Sequence, residues 1–266
     1  MSFRPAGILT LSSDFGGLGP YEGQMRGAAL SAAPEVRVFD LWHGVPPQGV
    51  RLGAFLLPRL WPTFPPGTVH AAVVDPGVGT ERAALVVSWR DFLLVGPDNG
   101  LFTLPFREGG EVRLLDPKRH GRPDLSFTFH GRDLFAPAGA RLAAGLLEWN
   151  SLEPYPGRPV QVDLPGAEAL PGGEIRGEVV LADPFGNLVT SIPSRLLPGP
   201  GAGGRGRVEI LGREIPVLET YGQAEPGALL ALTGSFGLME IARRDGSARE
   251  GLGAAEGEEV RFFPPS

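Results

Sequence analysis

The stretch VVDPGVGTER, residues 73–82, sets an acid, Asp75, directly after an apolar run and an arginine, Arg82, seven residues further on. Gly77 and Gly79 between them allow the backbone to turn sharply, so that carboxylate and guanidinium can converge. An Asp–Arg pair withdrawn from water perturbs both groups, which happens at active sites and in structural ion pairs alike, and both readings stand at this point. The glycines suit a phosphate cradle, yet the stretch has neither the lysine of a P-loop nor the spacing of a dinucleotide fingerprint. In FHGRDLF, His130 sits just before a helix start, where it either helps cap or faces a crevice. In LSSDFGG, Asp14 could cap the next helix or accept two hydrogen bonds from a vicinal diol such as ribose.

A second group of polar residues lies in the C-terminal half. LADPFGNLVTSI places Asp183, Phe185 and Asn187 around a tight turn, and an ordinary hairpin favours the same residue types. TGSFGLMEIA offers Ser235 and Glu240 beside glycines that permit close approach of a ligand. The histidines are His43, His70, His120 and His130, no two at zinc-site spacing, and cysteine is absent. No metal site, thiolate chemistry or disulfide is expected. SDFG matches the kinase magnesium motif only in isolation, because no glycine-rich loop, strand lysine or catalytic loop precedes it.

The elements that must position these residues follow from periodicity and punctuation. GILTLSS reads as a buried strand, Pro20 as a first-turn residue, and YEGQMRGAALSAA as a helix stopped by Pro34. VRVFDL is a second strand, RLGAFLLPRL a helix, and TVHAAVV a third strand leading to Asp75. That β-α-β-α-β order predicts parallel strands with right-handed crossovers, and Asp14, Asp40 and Asp75 at the carboxyl ends where ligands bind. ALVVSW and FLLVG are further strands, PDNG is a turn, and LFAPAGARLAAG is a helix closed by Gly145. Beyond a proline- and glycine-rich stretch, seven short runs from IRGEVVLAD to EEVRFF predict a small β-barrel or sandwich. The expected organisation is an N-terminal α/β domain with a mostly parallel sheet (residues 1–160), a linker (161–173) and a smaller C-terminal β domain (174–266). PGPGAGGRGR, residues 198–207, reads as a low-complexity, mobile loop.

Composition narrows the partners. The net charge of −6 supplies no global field for a phosphate backbone, so nucleic acid is not an expected partner. Lys118 is the only lysine, and 42% of residues are hydrophobic, ample for a core. No run of eighteen apolar residues and no signal-peptide pattern occurs, so no membrane association is expected and the cytoplasm is the expected compartment.

Taken together, LSSDFG, FDLWHGVPP, FPPGTVHAAVVDPGVGTER, VGPDNGLF, TFHGRDLFAPAGARLAAG, DPFGNLVTSI and GSFGLMEIA resemble, in order and across almost the whole chain, the S-adenosyl-L-methionine hydroxide adenosyltransferases. That family is similar to chlorinases and fluorinases acting on the same substrate. The resemblance implies an N-terminal α/β domain, a C-terminal β-barrel domain, a homotrimer with its small-molecule site between neighbouring subunits, and hydrolysis of S-adenosylmethionine to adenosine and methionine without a cofactor. It implies a triad of Asp75, Arg82 and His130, with Asp14 on the ribose diol, Asp183 on the methionine ammonium, Asn187 on the adenine edge and Ser235 on the methionine carboxylate. Phe185 would stack on the purine, and Glu240 is a further ligand candidate. His43, Asp98 and Asn99 are expected to be scaffolding. The alternatives are a halogenase, a branch expected to lack the triad, and a noncatalytic sensor that binds S-adenosylmethionine or adenosine.

Overall fold

The computed structural model describes residues 3–17, 19–197 and 206–265, so residues 198–205 of the glycine-rich stretch lie outside the described residues. The chain divides into two compact units, Met1–Leu164 and Pro165–Ser266.

The first unit is built on the strands β1 (Ile8–Ser13), β2 (Arg37–Trp42), β3 (Val69–Val73), β4 (Ala84–Trp89), β5 (Phe92–Pro97), β6 (Glu111–Leu114) and β7 (Glu153–Pro154). They form one sheet in the order β2-β1-β3-β5-β4-β6-β7. Pairing is parallel from β2 through β1 and β3 to β5, and antiparallel from β4 outward. The crossover helices are α1 (Tyr21–Ala32) and α2 (Val50–Leu60), followed by the short α3 (Thr103–Arg107) and α4 (Pro117–His120), and by α5 (Ala136–Ala143). Strand alternation divides the core between the two faces. Leu9, Leu11, Ala71 and Val73 pack with Met25 of α1 and with Phe135, Ala138 and Leu142 at and in α5. Ala72, Val74, Leu85, Val87 and Leu94 pack with Leu57, Trp61 and Phe102. Each large side chain so buried contributes roughly 1.5–3 kcal/mol. β1 and β3 are buried along their whole lengths, including the polar positions Thr10, Ser12, Ser13 and His70.

Three local expectations are corrected. Pro20 occupies the N-cap of α1 rather than its first turn, and no side chain caps this helix, so Asp14 is not a cap. Asp40 lies within β2, paired with Leu11, rather than beyond its end. The helix of LFAPAGARLAAG is preceded by a π-type turn, Gly131–Phe135, with His130 at its entrance.

The second unit contains β8 (Glu168–Ala169), β9 (Ile175–Ala182), β10 (Leu188–Pro193), β11 (Arg207–Ile210), β12 (Arg213–Pro216), β13 (Leu229–Thr233), β14 (Leu238–Arg243), the helix α6 (Ala248–Leu252) and β15 (Glu259–Phe263). The strands run antiparallel in the order β12-β11-β15-β9-β10-β14-β13, and a bridge from Val217 to Ala231 brings the two edges together into a nearly closed barrel. Its interior holds Val179, Leu188, Ile192, Val208, Met239, Ile241 and Phe262. Among the described residues no helix is long and apolar enough to cross a membrane.

Candidate active site

Asp75 follows β3 by two residues, where Asn99 fixes the strand exit by donating its side-chain amide to the Val74 carbonyl at 2.8 Å. The chain then reverses: Val78 N–H donates to the Asp75 carbonyl at 3.2 Å and Thr80 N–H to that of Gly77 at 3.2 Å. Gly79 has φ +80°, and a Cβ there would stand 2.4 Å from the Phe127 carbonyl oxygen, so this position requires glycine twice over. The reversal returns Arg82 to Asp75. Its Nε donates to Oδ1 at 2.8 Å and its Nη2 to Oδ2, a two-point fork with side chains only 9% and 5% exposed. The guanidinium also lies over the Phe135 ring, 5.2 Å from its centroid.

His130 joins this pair. Arg82 Nη2 donates to its Nδ1 at 2.8 Å, which leaves the ring proton of a neutral imidazole on Nε2. Burial, then the Arg82 charge, hold the His130 pKa below its usual 6.5 despite Asp75 and Asp133. The ring is therefore neutral near pH 7 and offers an Nε2–H donor. Asp133 anchors the segment that carries it: fully buried, it accepts from Ser126 N–H at 2.9 Å and from both Arg132 nitrogens. Hydrogen bonds to Arg132 and Ser126 outweigh burial and hold the Asp133 pKa below the usual carboxylate range.

A cavity of about 370 Å³ in the first unit is lined by Asp14, Phe15, Gln48, Asp75, Phe129 and His130, among others. The three sequence-predicted acids and bases Asp14, Asp75 and His130 thus face one space, with Arg82 joined to the last two. Asp14 accepts Gln48 N–H on Oδ2 at 2.7 Å. Gln48, at φ +62°, and the aromatic pair Phe15–Phe129, 5.7 Å apart edge to face, carry no signal in the sequence analysis. A non-glycine residue in left-handed backbone directly after the paired prolines Pro46 and Pro47 has no composition cue, and the aromatics meet only through the fold.

In the second unit the β9–β10 turn is organised by Asp183. Its Oδ1 accepts Phe185 N–H and Asn187 N–H, both at 2.9 Å, and its Oδ2 accepts the Asn187 side-chain amide at 3.0 Å. Gly186, at φ +80°, completes the turn. The hairpin reading is therefore correct as far as it goes, and the turn also leaves Phe185 79% exposed. Phe185, Asn187 and Tyr221 line a cavity of about 660 Å³. Glu240 is buried and accepts the Tyr221 hydroxyl at 2.6 Å. Burial raises the Glu240 pKa, and the charge of Asp183 raises it further, against the lowering by Tyr221. Burial and the Glu240 contact push the Tyr221 phenol to about 12. Ser235 is exposed in the β13–β14 turn, next to Gly234, which lies against the Glu240 carboxylate. Tyr221 was not singled out from the sequence, because its pairing with Glu240 spans nineteen positions.

The two family profiles that match this chain are the SAM hydroxide adenosyltransferase N-terminal domain, over residues 9–153, and the SAM hydroxide adenosyltransferase C-terminal domain, over residues 177–261. An (R)-S-adenosyl-L-methionine hydrolase of Thermus thermophilus is 42% identical, with 94% of this chain and 97% of that protein covered. Among solved structures, an uncharacterized conserved protein from Thermotoga maritima superposes with a TM-score of 0.85 at 31% identity, covering 96% of this chain and 99% of that one. A fluorinase of Actinopolyspora mzabensis matches at lower identity, 28%, over 96% of both chains. Both profiles together span most of the sequence, and the chain belongs to the SAM hydroxide adenosyltransferase family.

Proposed function

We propose that this protein hydrolyses S-adenosyl-L-methionine, in the (R) sulfonium form named for its Thermus relative, to adenosine and L-methionine. The observation that carries the reading is the Asp75–Arg82–His130 relay on a cavity that also contains Asp14. The sulfonium makes the 5′ carbon electrophilic and departs as a neutral thioether, so the reaction calls for no metal or redox cofactor. What it lacks is a nucleophile, since water at neutral pH is a poor one. Asp75, with lone pairs left over from the Arg82 fork, accepts the proton of a water as its oxygen bonds to the 5′ carbon and the carbon–sulfur bond breaks. His130 serves as a donor through Nε2–H that aims the water, because its Nδ1 is engaged by Arg82. Arg82 fixes the acid and offsets charge as hydroxide character develops.

For recognition, Asp14 takes the ribose diol, and the C-terminal unit of a neighbouring subunit supplies Asn187 for the adenine edge, Phe185 for stacking, Asp183 for the ammonium and Ser235 for the carboxylate. Asp183 at the turn and the buried Glu240 near it set two acidic side chains together, which suits a cationic amino group. The active form is a homotrimer in the cytoplasm, with each site completed by a neighbouring subunit. A halogenase reading has the fluorinase similarity in its favour, but the complete relay suits activation of water rather than capture of a halide. The test is the Asp75→Asn variant, which should lose turnover while retaining substrate affinity; loss of affinity with unchanged kcat would refute the role given to Asp75.

A further inference from the structure

Asp14 is not held by its own strand alone. The segment after β2, residues 43–48, grips the β1 exit at three points. The His43 carbonyl accepts Gly16 N–H at 2.8 Å, the His43 Nδ1 is 2.7 Å from the Ser13 hydroxyl, and Gln48 N–H reaches Asp14 Oδ2 at 2.7 Å. The polarity of this network can be assigned. Asp40 only accepts, so His43 Nε2 donates to it at 3.1 Å; in the neutral imidazole Nδ1 is then the acceptor and Ser13 O–H the donor. Ser13 Oγ in turn accepts Phe15 N–H at 3.3 Å, on the far side of Asp14. Arg26 of α1 holds Asp40 at 3.2 Å. The His43 side chain is only 10% exposed, whereas Asp40 and Arg26 are 34% and 48% exposed, so the ring is the buried link between a solvated ion pair and the Asp14 turn.

Gln48 adds a second observation. Its φ of +62° places a non-glycine residue in left-handed backbone, and that conformation delivers its N–H to Asp14. One carboxylate oxygen is thereby fixed while Oδ1 is left for a ligand.

We infer that His43 is a positioning residue for substrate recognition: through Ser13 and Gly16 it sets the Asp14 carboxylate for the ribose hydroxyls. This rests on the reading of Asp14 as the diol ligand and on nothing about the reacting oxygen. His43 does not touch the relay, so its loss separates KM from kcat.

The test compares His43→Ala, His43→Asn, Asp14→Asn and the double variant, with titration calorimetry of adenosine and 2′,3′-dideoxyadenosine alongside turnover of S-adenosylmethionine. The expected result for His43→Ala is an increase in adenosine Kd and in KM of about tenfold, the scale of one well-placed hydrogen bond, with kcat within about twofold. His43→Asn, whose side-chain oxygen can still accept from Ser13, should recover most of the affinity. Binding of the dideoxy ligand should be unchanged, and His43→Ala should add nothing in the Asp14→Asn background. Equal losses for both ligands, additivity with Asp14→Asn, or a fall in kcat alone would overturn the proposal. If Asp14→Asn itself leaves adenosine affinity unchanged, the diol reading fails first, and that outcome is seen independently of any His43 variant. Should His43→Ala not fold, His43→Asn with the two ligands carries the same comparison.

Discussion

At the scale of single residues, the central object is a buried bidentate ion pair that also polarises a histidine. Such a pair contributes little net stability, because desolvation of both charges offsets their attraction, whereas removing one partner leaves a buried charge unpaired. Asp75→Asn is therefore expected to destabilise the fold by about 3 kcal/mol as well as to reduce turnover, and denaturant melts must accompany the kinetics. Turnover should fall by at least about a hundredfold with substrate Kd changed little, as expected for loss of a proton acceptor. The histidine makes a separate prediction. Because burial and Arg82 lower the His130 pKa, the neutral, working form persists above 6.5 and is lost only as pH falls through the lowered value. The acid limb of the pH–rate profile should accordingly lie below 6.5; a limb at or above that value would contradict the neutral-donor assignment.

At the scale of elements, the β3 exit turn determines whether acid and arginine meet. Gly79→Ala adds a Cβ against the Phe127 carbonyl and forces alanine into left-handed backbone, so a loss of about 1–3 kcal/mol in stability, and turnover well below wild type, are expected from thermal melts and initial rates. Deeper in the same unit, His70 is stacked on Trp61 and bonded to Thr10 at 2.7 Å, and burial lowers its pKa to about 3. The unfolded chain takes up a proton near 6.5 that the folded chain refuses, so stability should decline as pH falls from 6.5 towards 3. A His70→Leu variant should show a shallower decline in urea midpoints over that window. The elements themselves were legible where burial is one-sided or complete: β1, β3, α1 and the barrel strands follow from apolar periodicity and from Pro and Gly punctuation. Asp75, Arg82 and His130 were legible as chemistry, but their joining through Nη2 and Nδ1 was not, because it depends on a contact spanning 48 positions. Gln48 and Tyr221 were invisible for a related reason: one acts through a backbone N–H in a strained conformation, the other through a distant partner. In the sequence Asp14 reads as cap or ligand alike, because both uses favour an acid at a strand exit, and only the N-cap of α1 decides between them.

At the scale of the molecule, each unit carries its own buried core and its own part of the proposed recognition chemistry, with Asp75, Arg82, His130 and Asp14 in Met1–Leu164 and the Asp183 turn with Glu240 in Pro165–Ser266. Light scattering on the purified protein should give about three times the 28.1 kDa chain mass if the trimer proposal is right; a monomer of full activity would refute completion of the site by a neighbour. The central claim is that an activated water attacks the 5′ carbon. Incubation with S-adenosyl-L-methionine in oxygen-18 water, with and without chloride, followed by mass spectrometry of the nucleoside, tests it most directly. The account predicts methionine and adenosine carrying one heavy oxygen at the 5′ position, whatever the chloride concentration. A 5′-chloro-5′-deoxyadenosine product, or unlabelled nucleoside, would contradict it.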